Sequence, residues 1–382
     1  MAVAIQQRRW AQADPNSAFW MAVQSGTAGA TVGVPGVGKS SSVLQMCQAM
    51  KRDMMLLIGS THAPEDVAGI PFVSTCRAFF DMVPPKWAER LSRPGALLFI
   101  DELTTVPPAM RAAMLSMLTE RRLGSLVIHP DTLMCAAYNP PHLAPSASPL
   151  EKSMANRFFH SEWKHDFDAW TEGMESENDT WGKPWFPVLE PDWKRYASKW
   201  GYRITGYLRK NSNDRINVPQ NDDEMAYATP RSWYYLRNCL AAAESVEAPG
   251  HIQNQLATGC IGKTVGGNFL KYVSTLDLVD PEAVLAGTEQ FKFDRKRIDL
   301  ASALLTSIVS AIRQNYSQDR LESAVDIFLN NVGKHAKDLA LSQLRHLMQA
   351  RPEGTKLTAK TIQTITQFGK TIPDAVRNRE GA

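Results

Sequence analysis

Nine consecutive residues, Gly33, Val34, Pro35, Gly36, Val37, Gly38, Lys39, Ser40 and Ser41, have the types and spacing to hold a phosphate chain. A glycine, four residues, a second glycine, a lysine and a serine let backbone N–H groups turn inward around phosphate oxygens. Lys39 then reaches the β and γ phosphates, and the Ser40 hydroxyl ligates Mg²⁺. About sixty residues on, Asp101 and Glu102 close the run "LLFIDEL". An acid at the tip of a buried strand can orient the water shell of Mg²⁺. A second acid beside it can polarise an attacking water. Asn139 ends a further apolar run, "TLMCAAY", and precedes two prolines. An asparagine there either hydrogen-bonds the γ-phosphate or the attacking water, or simply serves the turn.

Such chemistry requires strands that end at a common edge. "GATV" (29–32), "MMLLIG" (54–59), "ALLFI" (96–100) and "TLMCAAY" (132–138) are short apolar runs of the kind that form buried parallel strands. Helical spacing follows the first, with Val43, Leu44, Cys47 and Met50 on one face. A second helix begins near Pro107, with Met110, Met114, Met117 and Leu118 as its core stripe. Alternating strands and helices predict an α/β fold with a parallel sheet over residues 1–162.

Composition shifts near His160. Seven of the ten tryptophans (Trp163, Trp170, Trp181, Trp185, Trp193, Trp200 and Trp233) fall in a stretch broken by glycine and proline. Residues 163–275 therefore read as a smaller, mostly helical domain. Its indoles suit a lid core or a subunit seam; a stacking platform for bases or an interface anchor is the other use of such rings. From 276 to 382 the pattern is helical and polar, with no motif to assign its role.

The 382 residues carry a net charge of +3, too little to imply a nucleic-acid partner. From Phe291 onward, 15 Lys and Arg face 9 Asp and Glu, a local +6 that fits a solvated helical surface or an acidic partner. Five widely spaced cysteines form no CxxC pair, which favours reduced core thiols over a zinc site. No apolar run approaches the ~18 residues of a membrane span, and "MAVAIQQRRWAQ" has no apolar signal core. The expectation is a cytoplasmic protein without a membrane partner.

Taken in order, "GVPGVGKS", "APEDVAGIP", "LLFIDELTTVPPAMRAAMLSMLTERRLG", "AAYNPP", "MANRFFHSEW" and "ATPRSW" resemble the MoxR-like branch of the AAA+ ATPases. The likeness covers roughly half the chain, about residues 27–236. It implies an αβα module with a helical lid, assembled into a homo-oligomeric ring, usually a hexamer, with ATP and Mg²⁺ between subunits. It also implies remodelling or maturation of a protein client, often one with a von Willebrand A domain. By position, Asn139 resembles the sensor-1 residue, Arg157 the arginine finger and Arg231 the sensor-2 arginine. Without the resemblance, either arginine reads as a surface ion pair, although a guanidinium fork suits phosphate. Leu123–Asn139 resembles the hairpin before sensor 1. Residues 69–95 should project from the module, with Phe79, Phe80 and Trp87 as candidate contacts in the ring pore or against the module. A nucleic-acid motor or loader is the alternative within the same superfamily. A scaffold that binds nucleotide without hydrolysis is disfavoured by Glu102.

Overall fold

The computed structural model describes residue 10 and residues 13–73, 79–144, 147–176, 185–220, 224–275, 279–295, 298–352 and 354–370. In chain order the first elements are α1 (Ser17–Gln24), β1 (Gly29–Val32), α2 (Lys39–Ala49), β2 (Asp53–Ile58) and α3 (Pro64–Ala68). Then come β3 (Ile70–Val73), β4 (Phe80–Val83), β5 (Ala96–Asp101) and α4 (Pro108–Thr119). Next are β6 (Arg122–Leu123), β7 (Leu126–Val127), β8 (Leu133–Tyr138), α5 (Lys152–Ala155), β9 (Phe159–Glu162) and α6 (Phe167–Glu175). Helices follow: α7 (Ala197–Lys210), α8 (Pro230–Ser245), α9 (Gly250–Ile261), α10 (Lys263–Ser274), α11 (Pro281–Leu285), α12 (Ile298–Gln314) and α13 (Gln318–Asp326). A π-helical turn (Ile327–Val332) leads to α14 (Lys337–Gln349) and α15 (Ala359–Lys370).

The chain divides into two compact units. The first comprises residues 1–197 and 211–270, the second residues 198–210 and 271–382. In the first, five parallel strands stand in the order β2-β5-β8-β1-β9. Each of the four strands read from sequence is present, within about one residue of its expected bounds. The Met110, Met114 and Met117 stripe of α4 packs with Ala30, Leu98, Ile100 and Ala136 on one face. Leu97 and Phe99 alternate to the other face and are equally buried. There α2 packs on β2 and β5, and α1 on β1, β8 and β9. A glycine is required at Gly29: a Cβ there would lie 2.7 Å from the Phe19 ring.

Two small hairpins stand apart from the central sheet. β3 pairs antiparallel with β4, and β6 with β7. The second hairpin occupies only Arg122–Val127; the rest of the expected Leu123–Asn139 segment contains the central strand β8. Ser125 N donates to Met82 O (2.9 Å), which ties the turn of the second hairpin to strand β4 of the first. Phe72, Val73, Phe79 and Phe80 are largely exposed. Trp87, by contrast, packs against the main core. The stretch between β3 and Phe79, within the expected projection, lies outside the described residues.

Several of the tryptophans serve the core, and Trp20 is fully buried. Trp163 meets Phe19 and Trp20 edge-on. Trp233 packs on Phe269 and donates its Nε1–H to Asp214 O (2.9 Å). Trp193 and Trp200 are also buried, while Trp170 stacks on Phe167 at a half-exposed site. Trp181 and most of the amino-terminal "MAVAIQQRRWAQ" lie outside the described residues. Within the first unit, α8 and α9 pack on each other and on α1, and α9 also covers β9. The second unit has its own apolar centre, where Leu304, Leu305 and Ile308 of α12 meet Leu321, Phe328 and Leu347. Among the described residues no helix is long and apolar enough to cross a membrane.

Candidate functional site

Strand β1 stops at Val32 because the next residues turn away from the sheet. Gly33 N still donates to Tyr138 O (3.2 Å). Gly36 (φ 80°) and Gly38 (φ 86°) then take left-handed conformations that suit glycine. Gly38 is the residue before α2, so the first turn of that helix and its unpaired N–H groups open toward the loop. Gly33 also allows a close approach, since a Cβ there would sit 2.8 Å from Trp163 Cβ. Val34, Pro35, Gly36, Ser40 and Ser41 are exposed, and Val37 is half-buried.

Lys39 is buried within this turn. Its Nζ donates to Gly33 O (2.7 Å), Val34 O (3.0 Å) and Asn139 Oδ1 (3.0 Å). Burial lowers its pKa from the ordinary lysine value, and the Asp101 charge opposes that shift. Asn139 follows β8, the neighbour of β1, which is how a residue 100 positions away reaches the ammonium. Ser40 Oγ donates to Asp101 Oδ2 at 2.7 Å. A hydroxyl and a carboxylate thus converge between the loop and the tip of β5. This pair fits Mg²⁺, which binds through few protein oxygens and keeps waters and phosphate oxygens in its shell.

Glu102, one residue past β5, has φ 56° and ψ 41°, a left-handed conformation uncommon for a residue with a side chain. Several contacts hold it there. Its N–H meets Asp101 Oδ1 (2.9 Å), and its carbonyl accepts from Thr105 N (2.9 Å) and Thr105 Oγ1 (2.8 Å). Gly59 lies against the turn; a Cβ there would come within 2.7 Å of Glu102 O. Ser60 Oγ donates to Glu102 Oε2 at 2.6 Å and so fixes one carboxylate oxygen. Ser60 was not singled out by the sequence pattern. Its one signal is position, two residues beyond β2, which pairs with β5.

Lys39, Ser40, Asp101, Glu102 and Asn139 therefore share the carboxyl edge of the sheet. Arg157 and Arg231 do not. Arg157 precedes β9, whose first residue pairs with Gly29 at the start of β1. The length of β1, roughly 10 Å at ~3.3 Å per residue, separates that level from the phosphate loop. Arg157 Nη1 donates to Ser153 O, while its buried Nε has no hydrogen-bond partner among the described residues. Burial lowers its pKa, and the like charge of Arg231 lowers it further; Tyr235 and Tyr227 oppose both.

Arg231 sits exposed in the first turn of α8, which Thr229 caps by accepting from Ser232 N (3.2 Å). Asn156 makes the junction between the two arginines. Its Oδ1 accepts from Thr229 Oγ1 (3.0 Å) and its Nδ2 donates to Tyr227 O (3.4 Å). A role for Asn156 was not visible in the sequence, because its partners are more than seventy residues away.

A cavity of about 800 Å³ in the same unit reaches Val32, Tyr138 and Glu162 at the strand ends. Phe159, His160 and Gln255 also line it. Burial holds the His160 pKa at about 4. Its Nε2 donates to Ala155 O (2.8 Å), and its buried Nδ1 has no partner among the described residues.

Sheet order, phosphate loop and acid pair define an α/β fold in which a central parallel sheet carries a phosphate loop, followed by a helical carboxyl-terminal region. No family model matches the sequence, and no curated protein matches it. Among solved structures, a Cytophaga hutchinsonii protein described as a "putative ATPase" is similar at 12% identity and a TM-score of 0.45. The alignment covers 71% of this chain and 93% of that one.

Proposed function

We propose that this chain is an ATP hydrolase of the AAA+ class, akin to the MoxR-like branch. On this reading it works in the cytoplasm as a homo-oligomeric ring, a hexamer by analogy, and remodels a protein client. A client carrying a von Willebrand A domain is the type that the resemblance implies. The observation that carries the reading is the division of polar and charged groups between two edges of one sheet. Lys39, Ser40, Asp101, Glu102 and Asn139 gather at the carboxyl edge, while Arg157 and Arg231 lie at the other. A subunit built this way holds nucleotide at one edge and presents its two candidate arginines at the other. A neighbouring copy would bring those arginines to the far side of the γ-phosphate.

In this mechanism the loop N–H groups and Lys39 bind the β and γ phosphates, and Lys39 exchanges its contacts with Gly33 O and Val34 O for phosphate oxygens. Mg²⁺ held by Ser40 and Asp101 would supply further charge neutralisation. Glu102 positions the attacking water, and Ser60 limits how its carboxylate turns. Asn139 orients the water or the γ-phosphate, and the neighbour's arginines offset charge as it develops there. The β3–β4 hairpin, on which Phe72, Val73 and Phe80 are exposed, is the surface this reading assigns to the client.

The test is Glu102→Gln. The variant should bind ATP as the wild type does and hydrolyse it at least ~100-fold more slowly. Turnover within a few-fold of wild type would remove Glu102 from the reaction and favour a non-hydrolysing scaffold.

A further inference from the structure

Arg111 lies in α4 among the methionines of the packing stripe and is 2% exposed. A buried cation is costly unless its donors are met. Here each guanidinium nitrogen meets oxygen. Nε donates to Val106 O (3.0 Å), and Nη2 donates to Thr104 O (2.9 Å) and to both oxygens of Ser148. Nη1 donates to Pro149 O (2.8 Å) and reaches Glu151 Oε1 at 3.5 Å. Most of these acceptors are backbone carbonyls, and they belong to two segments far apart in sequence.

The first segment is the turn after β5. Thr104 and Val106 follow Glu102 by two and four residues, and that turn contains the left-handed Glu102. The second segment is the connection that leaves Asn139 and enters α5. Glu151 O accepts from Met154 N and Ala155 N at the start of α5, six residues before Arg157. Ser148 N also donates to Thr104 O (3.0 Å), so the segments touch directly beneath the guanidinium. A rigid planar fork can hold several carbonyls at fixed angles, whereas an ammonium on a flexible stem cannot.

We propose that Arg111 is a positioning residue for hydrolysis. Its guanidinium locks the turn carrying Glu102 to the connection between Asn139 and Arg157. One side chain thereby sets the geometry of a subunit's own water-positioning acid and of the arginine it presents to a neighbour. This rests on the ATPase reading above.

The experiment compares wild type, Arg111→Lys, Arg157→Ala and the double variant by ATP affinity and single-turnover rate. Arg111→Lys should keep ATP affinity within about threefold and lose about 10- to 100-fold in rate, the scale of a misplacement near 1 Å. The double variant should lose less than the product of the two single losses, because both act on one arrangement. A general folding defect would instead lower the number of binding sites and leave the rate per occupied site unchanged. Should Arg111→Lys not fold, Ser148→Ala removes one acceptor and should lower the rate several-fold at unchanged affinity. Multiplicative losses, or a rate within twofold of wild type in the folded variant, would overturn the inference and leave the ATPase reading standing. A wild type that binds ATP without turning it over would sink both.

Discussion

At the residue scale, what decides activity is which charges the fold leaves poised. Lys39 is held by three oxygens, two of them loop carbonyls that phosphate can replace, and Glu102 sits in a backbone conformation that its neighbours enforce. The residue types of the loop and acid pair were legible because their spacing is local and chemically constrained. Ser60 and the left-handed φ of Glu102 were not, since both depend on how adjacent strands end. His160 offers a check on burial. Its pKa is lowered from 6.5 to about 4, so between those values the unfolded chain binds a proton that the folded chain refuses. Stability from this group is full above pH 6.5 and is lost as pH falls toward 4, by at most about 1.4 kcal/mol per pH unit. Asp14 works in the opposite sense: burial raises its pKa to about 6, so its contribution is lost as pH rises through that value. Urea unfolding across pH 4–6.5 should therefore show a shallower acid decline in His160→Gln than in wild type. Identical slopes would remove His160 from the titration.

At the scale of elements, four central strands and the α4 stripe could be read directly, because buried parallel strands are continuous apolar runs. Strand β9 could not. Three of its four residues, His160, Ser161 and Glu162, are polar, and its strand character comes from pairing with β1. The β3–β4 hairpin was equally hidden, since Pro71 counts against a strand and is tolerated only in such an edge position. The contrast between the stripe and the hairpin makes a prediction. Met114 is fully buried, so Met114→Ala should destabilise the fold by about 2–5 kcal/mol. Phe72 is 67% exposed, and Phe72→Ser should change stability by less than about 0.5 kcal/mol. Denaturant midpoints of the two variants decide it. A large loss for Phe72→Ser would mean that the hairpin is packing, not a surface offered to a partner.

At the scale of the whole molecule, one arrangement decides whether a subunit can act alone. The groups that bind phosphate and the arginines suited to complete the site lie at opposite edges of the same sheet. The sequence marked both arginines as candidates, but their mutual proximity is a tertiary fact set by Asn156, Thr229 and Tyr227. The most direct measurement mixes Arg157→Ala with Lys39→Ala under conditions of subunit exchange and follows phosphate release. Each variant alone should be nearly inactive, because arginine fingers contribute about 10³ or more in rate. In mixed rings an intact phosphate loop on one subunit can meet an intact Arg157 on the next, so activity should partly return. If native mass spectrometry confirms mixed rings and no activity returns, Arg157 does not act across a subunit seam and the account is contradicted.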